Sequence, residues 1–334
     1  MRLVLNGLFA LFITATVFAA SFPLDRLPSH IRRLTEIGQR SEWSLDGRRI
    51  MYLTRAGGEV YEIDLVNGQK RPITQHYDRP EGHGYYRALY LANGDYLLTG
   101  GPDRHEAYLQ ILDKSLKRPP KIFDIIVREG PAISRTKLKI AWTKKQEKIW
   151  TADIVYRDGE PVIANRTLIV DNRHVVVDGV RYQDMIEPQN FRPPEEKELI
   201  WSQYGVDDRG VFTAETFGSD LETGAIVNYS KTPRQYDEPE GIFPCGEYTL
   251  IECDRHNPWG TGFLDLYRLR LNVENSEWMR LTWFSEVEGF RATNPVVSDD
   301  GRYIAFQESK SKSAPGAGEG IYIFDLQKAG LLGE

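Results

Sequence analysis

Ser41-Glu42-Trp43-Ser44-Leu45-Asp46-Gly47-Arg48-Arg49-Ile50-Met51-Tyr52-Leu53 places an Asp-Gly pair between two runs rich in large apolar residues. Such a pair is a strong hairpin signal, because both central turn residues must tolerate positive φ. The pattern continues through Val60-Tyr61-Glu62-Ile63-Asp64-Leu65 to Arg71-Pro72-Ile73-Thr74. Ile, Tyr, Val and Leu in short runs between turn residues read as strands. The stretch therefore reads as a unit of four antiparallel strands, a to d.

The unit recurs. Asn294-Pro295-Val296-Val297-Ser298-Asp299-Asp300-Gly301-Arg302-Tyr303-Ile304-Ala305-Phe306, followed by Gly320-Ile321-Tyr322-Ile323-Phe324-Asp325-Leu326, is a second clear copy. A third runs from Glu240-Gly241-Ile242-Phe243-Pro244-Cys245-Gly246-Glu247-Tyr248-Thr249-Leu250-Ile251 through Leu264-Asp265-Leu266-Tyr267-Arg268-Leu269 to Met279-Arg280-Leu281-Thr282. Fainter copies begin near Asn93-Gly94, Leu138-Lys139-Ile140-Ala141-Trp142 and Leu199-Ile200-Trp201. Six four-stranded units at a period of roughly 50 residues indicate an all-β, six-bladed β-propeller, here a single domain over residues 31–330. Residues 173–184 are surplus and read as an extra loop or hairpin between the third and fourth blades. The sixth unit lacks a fourth strand after Leu326. Arg32-Arg33-Leu34-Thr35-Glu36-Ile37 matches the missing piece, so an N-terminal strand is expected to complete the last blade and close the ring.

The pattern Trp-Ser-x-Asp-Gly-x-x-Ile, then aromatic-x-x-Asp-Leu, then Leu-Thr resembles the repeat of the TolB-type (WD40-like) β-propellers. The resemblance implies the fold. It does not choose an activity, since that family holds periplasmic interaction proteins, propeller domains of peptidases and oligogalacturonate lyases. Cys245 stands where the repeat usually has Asp.

The 334 residues are 41% hydrophobic and 27% charged, which is ordinary globular composition. A net charge of −6 argues against a nucleic-acid partner. Two cysteines, Cys245 and Cys253, cannot staple a chain of this size, and their spacing along an extended strand predicts no disulfide. Residues 1–19 read as a signal peptide: Arg2, an apolar run and small residues at Val17-Phe18-Ala19. This predicts a secreted or periplasmic protein without a stable membrane span after cleavage, expected as a monomer. Asn165-Arg166-Thr167 and Asn228-Tyr229-Ser230 are sequons that would make it a glycoprotein in a host that glycosylates.

Propeller connectivity puts the b–c and d–a loops on one face around the central channel, and function is expected there. Asp103-Arg104-His105 and Asp254-Arg255-His256 occupy matching b–c loops in units two and five, three blades apart and so opposed across the axis. Arg104 and Arg255 would hold an anionic group, with Asp254 beside them. Glu240 would abstract a proton from the ligand and His105 or His256 would donate one; Glu240 and Asn294 lie on innermost strands that line the channel. His83 and Trp259 are further ligand-contact candidates, and 309–320 reads as a flexible loop. No cofactor is assigned. His83, His105 and His256 could bring Glu240 to a divalent metal, as the resemblance to oligogalacturonate lyases permits, yet no short-range ligand spacing supports one. No Gly-x-Ser-x-Gly elbow, phosphate loop or zinc motif is present. These residues point to a small polar, anionic or saccharide ligand at the channel mouth, with lyase, isomerase or hydrolase chemistry. The alternatives are a non-catalytic protein- or glycan-binding propeller and an accessory tailoring enzyme of a secondary-metabolite pathway.

Overall fold

The computed structural model describes residues 27–332 except 183 and 315. The signal-peptide assignment, residues 1–19, falls outside the described residues. Strand β1 (Ile31–Arg33) precedes the first blade. Blade 1 comprises β2–β5 (Gln39–Trp43, Arg49–Leu53, Val60–Asp64, Lys70–Pro72), and blade 2 comprises β6–β9 (Gly84–Tyr90, Tyr96–Gly101, Tyr108–Leu112, Lys121–Ile126). Blade 3 comprises β10–β13 (Ala132–Ile133, Lys139–Lys144, Lys148–Arg157, Glu160–Asp171). The surplus segment forms a hairpin, β14–β15 (Val175–Val177, Val180–Tyr182). Blade 4 comprises β16–β19 (Ile186–Phe191, Glu198–Val206, Phe212–Asp220, Ile226–Asn228), and blade 5 comprises β20–β23 (Asp237–Ile242, Tyr248–Cys253, Asp265–Arg270, Trp278–Arg280). Blade 6 takes β24–β26 (Phe290–Val297, Tyr303–Lys310, Ile321–Asp325) and borrows β1 as its outer strand. The protein is thus a six-bladed β-propeller whose ring is closed between its two ends.

Two local devices explain the repeat. At the a–b turn, Ser44 Oγ donates to Asp46 (2.5 Å) and accepts from the Arg49 amide (3.0 Å), while Gly47 takes φ +65°. Blade 6 repeats this with Ser298, Asp300 and Gly301 at φ +70°. At the end of the outer strand, a Thr hydroxyl accepts the first amide of strand c. Thr74 takes the Val60 amide (2.9 Å), Thr282 the Leu266 amide (2.9 Å) and Thr35 the Ile321 amide (3.1 Å). Thr35 performs this across the chain ends, so β1 sits in blade 6 as a normal d strand would. Its register is Ile31↔Phe324, Arg32↔Ile323 and Arg33↔Tyr322.

The apolar core lies in layers between blades. One cluster joins Ile31, Leu250, Phe284, Phe306, Tyr322 and Phe324 across blades 5 and 6, and another joins Leu97, Leu109, Ile140 and Trp142 across blades 2 and 3. Both cysteines are free. Asn165 is exposed. Asn228 is buried and donates to Glu215 (3.0 Å), so the folded chain has no room for a glycan there. Among the described residues, no helix is long and apolar enough to cross a membrane.

The innermost strands carry the feature that builds the site. In blades 1, 2, 4, 5 and 6 the a–b ladder is interrupted by a bulge: between Gln39 and Glu42, Tyr85 and Arg87, Pro188 and Asn190, Pro239 and Gly241, and Thr293 and Val296. A bulge re-aims side chains out of the regular alternation. Arg40, Arg87, Gln189, Glu240 and Asn294 sit in or beside these bulges and line the channel.

Ring closure predicts that Ile31→Ala, which removes a buried anchor of β1, costs about 2–5 kcal/mol. Urea unfolding measures this, and a variant as stable as the wild type would contradict the closing role.

Candidate functional site

The channel contains two chambers. The loop-side chamber encloses about 290 Å³ and the turn-side chamber about 350 Å³. Arg40, Arg87 and Glu240 line both and form the waist between them. Arg87 of blade 2 reaches across the axis to Glu240 of blade 5 (3.7 Å). Gly130 makes this reach feasible, since a Cβ there would stand 2.5 Å from Arg87 Nε.

Charge is unevenly distributed around the loop-side chamber, with Glu129 among the arginines and Arg291 of blade 6 beside the glutamates. Arg40, Arg87, Arg104 and Arg128 line it from blades 1 and 2 and the link to blade 3, while Glu187, Glu238, Glu240 and Glu252 line it from blades 4 and 5. Arg104 is ion-paired with Glu129, and Arg128 Nε donates to His105 Nδ1 (3.2 Å). Among the described residues the Arg40 guanidinium has no hydrogen-bond or ion-pair partner. Burial and then the neighbouring Arg87 charge lower its pKa.

The glutamate arc is buried and crowded. Tyr204 and Tyr236 both donate to Glu238, and Tyr204 also lies 3.1 Å from Glu187. The Asn294 amide donates to Glu252 (2.5 Å) and its side chain to Glu240 (2.8 Å), and the buried Asn294 Oδ1 has no partner among the described residues. Burial, with the Glu240 charge second, pushes the Glu238 carboxyl up to about 7. Burial also raises Glu187 and Glu252 well above the usual range, reinforced by Glu129 and Glu238 in the first case and by Glu240 and Glu238 in the second. The two tyrosine hydroxyls are raised by burial and by these carboxylates. Such an arrangement can anchor an anion on one wall and accept a cationic or hydroxyl-rich group on the other. It also holds a carboxyl whose proton is exchangeable near neutrality.

Of the residues expected from the sequence, Arg104, His105, Glu240 and Asn294 line this chamber. The others do not. Arg255 stacks on Trp278 of the outer strand (4.8 Å) and donates to Gln235 (3.2 Å). Asp254 is buried as a loop cap, accepting from the Tyr236 and Gly260 amides. His256 is held between Tyr267 (3.1 Å) and Ser285 (2.7 Å), and the Ser285 hydroxyl also reaches Asp265 (2.6 Å). Asp265 in turn caps Thr282 and the Phe284 amide, so this network ties the loop together. Trp259 is 60% exposed and stacked with Arg209 (5.2 Å). His83 lines neither chamber. The matching triplets of blades 2 and 5 therefore diverge: Asp103 caps a short exposed turn, whereas Asp254 caps a long loop that turns Arg255 outward. Among the described residues, no three His, Cys, Asp or Glu side chains could together hold a metal ion. The 309–320 loop is pinned to the rim, with Arg291 donating to the Ser313 carbonyl (2.9 Å) and Ser309 to the Ala317 carbonyl (2.6 Å).

Sequence reasoning missed Glu238, Glu252, Tyr204, Tyr236, Arg40 and Arg87. One signal was available. Glu187-Pro188 and Glu238-Pro239 occupy the same step before the bulge in adjacent blades.

No family model and no curated protein matches the sequence. Solved β-propeller structures match the fold. TolB from Acinetobacter baumannii aligns at TM-score 0.51 and 12% identity, over 84% of this chain and 64% of that one. A Mycobacterium tuberculosis puromycin-hydrolyzing peptidase aligns at 0.52 and 11%, over 90% of this chain and 45% of that one. The chain thus spans less than two thirds of either protein. U3-55K aligns at 0.54 and 9%, over 89% and 98% of the two chains.

The raised Glu238 pKa gives a stability prediction. The unfolded chain loses this proton near pH 4.5, and the folded chain keeps it until about 7. The contribution is fully present below pH 4.5 and is lost as pH rises toward 7. It amounts to about 3 kcal/mol. Urea midpoints at pH 5 and pH 8 should converge in Glu238→Gln relative to the wild type; parallel pH profiles for the two proteins would refute the assignment.

Proposed function

We propose that the loop-side chamber binds a small polar molecule, of monosaccharide or amino-acid size, and that Glu238 exchanges a proton with it. The observation that carries this reading is the opposition of arginines and glutamates across one cavity of about 290 Å³. An anionic group fits against Arg40 and Arg87, where a guanidinium is unspent. A cationic or hydroxyl-rich group fits against Glu240 and Glu252. Glu238, held by two tyrosine hydroxyls, is placed for acid–base work on a bound molecule of the lyase, isomerase or hydrolase type.

A propeller that only docks a partner would present a plugged channel and a flat apolar rim. A charged chamber lined from all six blades favours a small ligand. The apolar run in residues 1–19 supports a reading in which the ligand is met outside the cytoplasm. His105 remains a proton-donor candidate, as it lines the same chamber.

A thermal-shift panel of amino acids, amino sugars, uronic acids and sugar phosphates tests the reading. A matching compound at a hundred times its Kd should stabilise the protein by about 2.7 kcal/mol. That corresponds to a rise of about 5 °C. Arg40→Ala and Glu240→Gln should each abolish the rise. A panel without any hit, or variants that respond like the wild type, would reject the site.

A further inference from the structure

We infer that the turn-side half of the channel is a second binding site, one for a small acid with an apolar body. This site meets the loop-side chamber at the shared Arg40 and Arg87 and differs from it in its apolar wall. Its wall is mainly apolar: Leu89, Ile133, Phe191, Ile242, Val296 and Val297 face a space of about 350 Å³ below the waist. A pocket of that size and lining is of the kind that takes small organic molecules.

The polar groups of this chamber decide the ligand's head. Its floor is crossed by Arg135 of blade 3. The guanidinium donates to Asp299 of blade 6 (2.9 and 2.8 Å) and to Glu42 of blade 1 (2.8 Å). Glu196 accepts from the Ser134 and Thr136 hydroxyls (2.6 and 2.9 Å) and from the Arg135 amide (3.0 Å). Glu240 accepts from Asn294 and faces Arg87. Each carboxylate in the lining is therefore already engaged by a donor. The groups left over lie at the waist. The Arg40 guanidinium has no partner among the described residues, and Ser41 Oγ, in a residue only 4% exposed, has none either. Arg87 is held only by its long ion pair with Glu240 at 3.7 Å among the described residues.

Two guanidiniums and a spare hydroxyl at the inner end of an apolar chamber suit a carboxylate whose hydrocarbon body points toward the turns. The Arg135 strut closes the chamber behind that body. Because Arg40 and Arg87 also line the loop side, an acid seated from below and an anion seated from above exclude one another.

Calorimetric titration of the intact protein with butyrate, hexanoate and octanoate tests the inference without any variant. Affinity should tighten about fourfold per added methylene. Octan-1-ol, which lacks the charged head, should bind at least tenfold more weakly than octanoate. Ile242→Trp, which fills the chamber below the waist, should weaken octanoate tenfold or more. Affinity independent of chain length, octanol binding as well as octanoate, or unchanged binding in a folded Ile242→Trp protein would each overturn the inference. These titrations contain no loop-side ligand, so they stand or fall apart from the thermal-shift panel.

Discussion

The pairing of β1 with β26 is the constraint on which the rest of the molecule depends. A propeller blade buries its apolar faces only against its neighbours, so an unclosed ring leaves two blades half bare and one edge unpaired. Here the closing strand is three residues long, but it is not held by its ladder alone. Ile31 enters the blade 5–6 core, and Thr35 accepts the Ile321 amide in the same way that Thr74 and Thr282 serve their own blades. Closure brings blade 1 beside blade 6. The Arg40 amide then meets Gln307 (2.7 Å), and the Trp43 indole meets the Val296 carbonyl (3.2 Å). Arg40 reaches the axis because the chain ends are joined.

Once the inner strands converge, regular alternation would send their side chains in and out predictably. The bulges break that rule, and they explain which parts of the protein could be read from sequence. The turns and the closing strand were legible because their chemistry is local: Asp-Gly needs positive φ, and the Leu-Thr ending supplies a hydroxyl to a nearby amide. Glu240 and Asn294 were legible as inner-strand residues. The glutamate arc was not. Glu187 and Glu238 hold equivalent places, each standing directly before a proline and one step ahead of the bulge. The Asp-Arg-His repeat misled for the opposite reason. Its spacing is identical in blades 2 and 5, but side-chain direction follows from the loop beyond it. Asp103 closes a tight turn, and Asp254 organises a long excursion through Gly260.

Burying so many charges is costly unless each is answered. Most arginines at the axis are. Arg135 meets Asp299 and Glu42, Arg87 faces Glu240, and Arg104 meets Glu129. The first two pairs cross the channel, so they hold opposite blades at a set distance as well as neutralising charge. On the glutamate side, burial and mutual repulsion raise the carboxyls above their usual range. Glu187 accepts from Tyr204 and the Gly130 amide, Glu238 from Tyr204, Tyr236 and Gln189, and Glu252 from Asn294, but among the described residues none of the three has an ion-pair partner.

That imbalance links stability to function. An arc built for stability alone would be better filled with apolar residues, as the turn-side wall is, because well-packed hydrophobic groups often replace buried charges without loss. The loop-side chamber instead sets the Arg40 guanidinium on one wall against carboxyls of raised pKa on the other. A bound molecule bearing complementary groups would settle both walls at once. The same molecule would lower the cost of ionising Glu238 by placing positive charge or hydrogen-bond donors beside it. The destabilisation carried by the empty arc is then the measure of how strongly a fitting ligand can be held.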